Sequence, residues 1–205
     1  MKRIRLGKTE LQVTCSSMGC LPVQRCSVED GAKLIRAAYE GGINYFDTAN
    51  AYTDSELKVG LALHGVRDKV VISTKSAAPD RAGCAAHIDN SLKLLQTDYI
   101  DLFQFHQCPA VPDIHDPDGA FAAALEAKAA GKIRHIGLTT HRIEVAEDAI
   151  ASGNFETLQF PFSYISTDRD LALAEKCKAA DMGFIAMKGL AGGLLTDARA
   201  CRAFM

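Results

Sequence analysis

Short apolar runs alternate with helically periodic stretches along nearly the whole chain. Residues 43–48, 70–74, 99–105, 133–139, 157–162 and 183–187 are rich in β-branched and aromatic side chains at successive positions. A run that is apolar at consecutive positions is covered on both faces, as strands of a parallel sheet wrapped in helices are. Between these runs the period changes. Residues 55–64 place Leu57, Leu61 and Gly60 inward, 85–95 carry Ile88, Leu92 and Leu95 at helical spacing, and 119–130 read as an alanine-rich helix closed by Gly131. Further helices cover 143–151, closed by Gly153, and 168–180. Upstream, 14–19 reads as a strand. Ser27-Val28-Glu29-Asp30 then offers a capped start to a helix with Ala32, Ile35, Ala38 and Tyr39 on one side, and Gly41-Gly42 ends it. Residues 3–6 and 11–13 flank Gly7-Lys8-Thr9, the pattern of a short β-hairpin with a glycine turn.

Strand starts recur every ~25–35 residues, the length of one strand-plus-helix unit. Seven such units in an unbroken series predict an α/β fold, a (β/α)8 TIM-type barrel rather than an open doubly wound sheet. No G-x-G-x-x-G follows any strand, which removes the dinucleotide fingerprint of the open-sheet alternative. The series is incomplete. After residues 183–187 come a glycine-rich loop, 188–195, and about half a helix from Thr196, where an eighth strand and helix are expected. The expectation is one barrel domain over 1–205, C-terminally truncated, with open edges on its first and seventh strands.

Composition narrows the function classes. At 205 residues with 48% hydrophobic content, the chain suits a globular domain with a sizeable core. Its 23 basic and 25 acidic residues, net −2, supply no field that would draw nucleic acid or an anionic membrane. The opening MKRIRLGKTELQV lacks the apolar run of a signal peptide, and no stretch reaches the ~18 apolar residues of a membrane span. Seven scattered cysteines without a CxxC pair read as reduced core residues, so a cytoplasmic location is expected. The six histidines lack ligand spacing, and no metal is expected.

Polar residues at the C-terminal ends of barrel strands face a common rim. Asp47, Lys75 and His106 hold that position on three consecutive strands, and Tyr52 follows Asp47 on the adjoining loop. A phenol with pKa near ~10 exchanges protons poorly at neutral pH. A lysine ammonium beside it favours the phenolate and draws that pKa down. A carboxylate holds the lysine charged and in place, and an imidazole opposite can orient a substrate oxygen. The set suits proton transfer to a carbonyl oxygen while hydride reaches the carbon. Side chains carry no hydride, so a nicotinamide cofactor is implied. Asp98 and Asp101, around a strand start, read as structural caps.

These residues sit in segments that follow one another in a known order: LGKTELQV, GGINYFDTANAYTDSE, VVISTKS, SLKLLQTDYIDLFQFH, GKIRHIGLTTH, LQFPFSY and AMKGLAGG. In this combination, over essentially its whole length, the chain resembles the aldo-keto reductases. The resemblance implies a barrel with an N-terminal hairpin at its bottom. It also implies reduction of a small carbonyl substrate, an aldehyde or ketone, with NADPH as cofactor and NADH as the alternative. By position it makes Tyr52 the general acid, Lys75 and Asp47 its tuning partners, and His106 the orienting residue. Thr139, Thr140 and Gln159 would hold the nicotinamide carboxamide, with Asp47 near the ribose. Lys188 and Leu190 would lie along the pyrophosphate, and Gly19 and Cys20 end the first barrel strand beside the cofactor.

Some positions depart from the family pattern. Gly189 stands where relatives usually have proline, and Met187 where many place an aromatic residue against the nicotinamide. The segment that grips the adenosine end and chooses between NADH and NADPH does not follow, nor does the cysteine-rich iron–sulfur extension of some relatives. Weakened or absent activity is therefore expected. The alternative is a non-catalytic nicotinamide-binding regulatory subunit, which would be indifferent to loss of the Tyr52 hydroxyl. The resemblance fixes neither the substrate nor the oligomeric state.

Overall fold

The computed structural model describes residues 1–204. In chain order its elements are β1 (Arg3–Arg5), β2 (Gln12–Thr14), β3 (Met18–Gly19), α1 (Val28–Glu40), β4 (Tyr45–Asp47), α2 (Ser55–Leu63), β5 (Val71–Ser76), α3 (Arg81–Leu95), β6 (Ile100–Phe105), α4 (Ala120–Ala129), β7 (Ile133–Thr139), α5 (Ile143–Ser152), β8 (Thr157–Pro161), α6 (Asp168–Ala179), β9 (Gly183–Met187) and α7 (Ala198–Phe204). β1 and β2 pair antiparallel, whereas β3 to β9 form a seven-stranded sheet in strict sequence order. A doubly wound sheet reverses its order at a switch point. This order does not reverse, and the fold is the α/β barrel type with seven of its strand units in series.

The chain divides into two compact units. The first comprises residues 1–5, 11–106 and 112–136, and the second comprises 6–10, 107–111 and the chain from Gly137 onward.

In the first unit β5 and β6 are buried at every position, as a strand covered on both faces must be. The expected first barrel strand, 14–19, shortens to Met18–Gly19, because Thr14 is taken up by the hairpin opposite Arg3. The Ser27 hydroxyl accepts from the Asp30 amide at 3.1 Å and starts α1. Asp80 does the same for Gly83 at 2.8 Å, so α3 begins at Arg81, before the expected residue 85.

Helix α2 departs most from its apolar pattern. Leu61, expected inward, is 44% exposed, while Ser55, Glu56 and Lys58 are buried. The reason is the passage of α2 between α1 and α3. Gly60 faces α3, and a Cβ there would sit against the Leu94 carbonyl. The helix is thus rotated to present its glycine; in its polar first turn Ser55 and Lys58 are satisfied by hydrogen bonds, and Glu56 Oε1 accepts from the Thr74 hydroxyl.

Asp101 is no cap. It is a buried hub at the start of β6, accepting from Arg67 at 2.7 Å, Arg134 at 3.1 Å and the Ile72 amide at 3.0 Å. The two guanidiniums lie against the Tyr99 ring, 4.0 and 3.7 Å from its centroid.

In the second unit residues 7–9 form a 3-10 turn rather than a tight hairpin turn. The Lys8 amide donates to Asp181 O at 2.6 Å. Gly7 has φ +51°, and a Cβ there would collide with the backbone of Gly183, so only glycine fits. β7, β8 and β9 run parallel, with Thr139 opposite Gln159 and Gln159 opposite Ile185. Thr167 and Asp170 form a reciprocal capping box on α6.

Candidate active site

The strand-end residues singled out for proton chemistry in the first unit gather around the end of β4. Asp47 is the last residue of that strand and pairs in register with Gly19 on one side and Ser73 on the other. The parallel ladder continues past the strand, with Thr48 N donating to Ser73 O at 2.9 Å and Asn50 N to Lys75 O at 3.0 Å. Two tight turns follow, closed by Tyr52 N on Ala49 O at 3.0 Å and Ser55 N on Tyr52 O at 2.8 Å, with Thr53 at φ +41°. The Tyr52 loop is therefore tied to the strand that carries Lys75.

Lys75 is 2% exposed, and its ammonium lies 2.6 Å from both Asp47 Oδ2 and Thr48 O. Asp47 Oδ1 accepts from the Ser73 hydroxyl at 2.5 Å and from Gln104 Nε2 at 3.4 Å. The Lys75 ammonium stands 5.3 Å from the centroid of the half-buried Tyr52 ring. The Tyr52 and His106 rings meet edge to face, with centroids 5.6 Å apart. His106 is placed by its amide, which donates to Ser76 O at 2.9 Å as β6 ends against β5. The four residues named from sequence thus come together in one place.

Two members of this cluster escape strand-end reasoning. Ser73 and Gln104 lie two residues before Lys75 and His106, on the same face of β5 and β6. Strand alternation carried back from each strand-end residue would have found them.

The electrostatics differ from expectation. Burial, reinforced by the Asp47 carboxylate, pushes the Tyr52 phenol up to about 12 instead of drawing it down. The Lys75 charge is spent on Asp47, so the pair presents little net positive field to the ring. The Cys20 thiol is also pushed up to about 12, chiefly by burial. Cys20 is fully buried, and its amide donates to Asp47 O at 2.7 Å, while neighbouring Gly19 is exposed.

The remaining sequence-named residues lie in the second unit. The Thr139 hydroxyl accepts from the Gln107 amide at 2.8 Å, and that of Thr140 donates to Cys108 O at 2.9 Å and accepts from the Arg142 amide at 3.1 Å. Both threonines are buried, so their first structural task is to hold the 107–109 segment. Gln159 is 5% exposed in the middle of β8. Lys188 and Leu190 are exposed on the loop after β9, Lys188 with φ +60°. Among the described residues all seven cysteines are free, no His/Cys/Asp/Glu group could hold a metal ion, and no helix is long and apolar enough to cross a membrane.

The model of the Aldo/keto reductase family matches residues 17–202. Aldo-keto reductase YhdN of Bacillus subtilis is 36% identical over 179 residues, covering 80% of this chain and 53% of that protein. The chain thus spans about half the length of YhdN. The uncharacterized oxidoreductase YqkF of the same organism is 28% identical, with 96% of this chain and 67% of that protein covered. Among solved structures, the holo form of aldo-keto reductase AKR11C1 from Bacillus halodurans superimposes with TM-score 0.84 at 29% identity, over 96% of this chain and 69% of that one. An aldo-keto reductase from Klebsiella pneumoniae in complex with NADPH gives TM-score 0.81 at 27% identity, over 96% of this chain and 71% of that one.

Proposed function

The chain belongs to the aldo-keto reductase family, and from that premise we propose that it reduces a small aldehyde or ketone to the alcohol with NADPH. The observation that carries the reading is the Tyr52 phenol between His106 and the Lys75–Asp47 pair, at 5.6 Å centroid to centroid and 5.3 Å from ammonium to ring. The NADPH-bound Klebsiella pneumoniae relative supports the choice of cofactor.

The donor chemistry fits such a cofactor. A side-chain amide such as that of Gln159 both donates and accepts, as a carboxamide requires. Gln159 pairs in register with Thr139, next to Thr140, and those three would hold the nicotinamide. Lys188 and Leu190 would lie along the pyrophosphate and Asp47 near the ribose, with exposed Gly19 beside it, while wholly buried Cys20 would act only by holding Asp47 O through its amide. When bound, the nicotinamide supplies the hydride that reaches the carbonyl carbon.

The chain's own residues handle the oxygen. His106 hydrogen-bonds and orients it, and Tyr52 gives it a proton as negative charge develops there. A phenol at about 12 is fully protonated at neutral pH, the state a general acid needs. The reverse reaction needs the phenolate, which is scarcely populated at neutral pH, so alcohol oxidation should be slow there and rise with pH. Lys75 and Asp47 hold the loop that carries Tyr52, through Thr48 O and the β4–β5 ladder.

The test is consumption of NADPH, followed by absorbance, with a reactive aldehyde. Tyr52→Phe should lose turnover by two or more orders of magnitude while keeping NADPH affinity. Equal turnover in that variant would exclude the proposed acid.

A further inference from the structure

The most unusual buried group outside this cluster is Lys58, at the end of the first turn of α2. Its side chain is wholly buried, at 0% exposure. Its ammonium lies 2.9 Å from Val23 O, 2.9 Å from Cys26 O and 2.7 Å from Asp54 Oδ1, so every ammonium hydrogen has an acceptor. The stem runs past Gly31 of α1, where a Cβ would fall 2.7 Å from the lysine Cδ. A bare backbone at that point lets the side chain through.

An apolar residue of similar length would fill this channel without taking a charge out of water. What the ammonium adds is a grip on two carbonyls of the turn at Pro22–Arg25. The front of the same turn is held by α2 as well. Ser55 Oγ donates to Cys20 O at 2.8 Å, and Thr48 Oγ1 donates to Ser55 Oγ at 2.8 Å. The third ligand, Asp54, is where the Tyr52 loop enters α2. One buried cation therefore joins three things: the turn after β3, the first turns of α2 and the exit of the Tyr52 loop.

We propose that Lys58 is a positioning residue that locks the 21–26 turn and the Tyr52 loop into one rigid body, with Gly31 as the gap that admits it. Its catalytic consequence rests on the reductase reading, whereas the locking itself does not. Without the ammonium the two turn carbonyls lose their donor, and Asp54 loses its anchor. The turn and the loop then move independently, and Tyr52 spends less time in register with Lys75 and His106.

The experiment uses the full chain and two variants, Lys58→Met and Gly31→Ala, and measures hydrogen exchange alongside NADPH-dependent turnover. In Lys58→Met, the Gln24 and Cys26 amides, bonded to Leu21 O and Val23 O, should exchange at least tenfold faster, while the Ile72 amide in β5 keeps its protection. kcat should fall at least fivefold with NADPH affinity unchanged, a split that general loss of stability would not give at a temperature well below unfolding. Gly31→Ala provides the sign test. Helix propensity alone predicts a more stable protein, whereas displacement of the lysine stem predicts faster exchange in 21–26. Unaltered exchange in that segment in Gly31→Ala and in any folded Lys58→Met overturns the lock. If the wild type shows no turnover but both variants loosen the turn, the lock stands and the reductase reading fails alone.

Discussion

Removing both members of the Asp47–Lys75 pair should cost little more than removing one. The two charges meet at 2.6 Å, with Lys75 2% and Asp47 7% exposed, so neither is well solvated once alone. Breaking a buried pair by deleting one partner costs roughly 3–5 kcal/mol, because the other charge stays behind. Lys75→Met belongs at about 3 kcal/mol, the low end of that range. The reason is that Ser73 and Gln104 still donate to the stranded carboxylate. Asp47→Asn leaves the ammonium with Thr48 O and an amide oxygen, so a similar loss is expected. The double variant strands no charge and forfeits only ordinary hydrogen bonds, each worth about 1 kcal/mol. A coupling energy of about 2–3 kcal/mol follows. For a chain of this size, a 3 kcal/mol loss lowers the melting temperature by roughly 6–12 °C. Urea unfolding of the four proteins, read by far-UV circular dichroism at neutral pH, measures the cycle directly. Additive single losses would mean that the pair does not hold the site together, and the account of Tyr52 placement would fall with it.

Four further outcomes can be checked. With the phenol at about 12, aldehyde reduction should be flat from neutral into weakly alkaline pH, while alcohol oxidation climbs with pH; a fall in reduction near neutrality would contradict the assignment. By the same shift, from 10.0 in the unfolded chain to about 12, Tyr52 contributes stability that is full below 10 and is lost as pH rises through about 12. Gly60→Ala should destabilise by about 1–3 kcal/mol despite its better helix propensity, because the new methyl meets the α3 backbone; calorimetry showing a gain would refute the close approach. Asp101→Ala should lower stability by about 3 kcal/mol by stranding the partly buried Arg67 guanidinium against Tyr99, and Arg134→Ala, whose side chain is half exposed, by about 1 kcal/mol or less.

What could be read from the residues depended on whether the signal was local. β5 and β6 announce themselves as unbroken buried runs, and Ser27 marks the start of α1 through a contact only three residues long, whereas the equally local caps Asp80 and Thr167 were passed over. The four polar residues of the candidate site were legible because strand ends in a parallel series share one rim. α2 was misread because its apolar periodicity is not what orients it. Gly60 must face α3, and a first turn of Ser55, Glu56 and Lys58 goes inward because Ser55, Lys58 and Glu56 Oε1 find partners far along the chain. Asp101 was misread for the same reason, since its ligands Arg67 and Arg134 lie 34 and 33 residues away. A lone charged residue carries no mark of the partner that will neutralise it.

The Tyr52 phenol shows what that blindness does to chemistry. From the sequence, an ammonium on the next strand means a lowered pKa. In the fold the ammonium is not a free charge. It is held by Asp47 Oδ2 and Thr48 O, and Asp47 is itself held by Ser73 and Gln104. Each added bond makes the pair more rigid and its field at the ring weaker, so burial decides the direction of the shift. The same bonds are the ones that fix the Tyr52 loop. Placement and acid strength therefore trade against each other at this site, and the residues present favour placement. That combination suits an acid that must be protonated and in position when charge appears on the substrate oxygen, and it suits a base poorly. A variant that frees the ammonium from Asp47 should lower the phenol pKa and loosen the loop together.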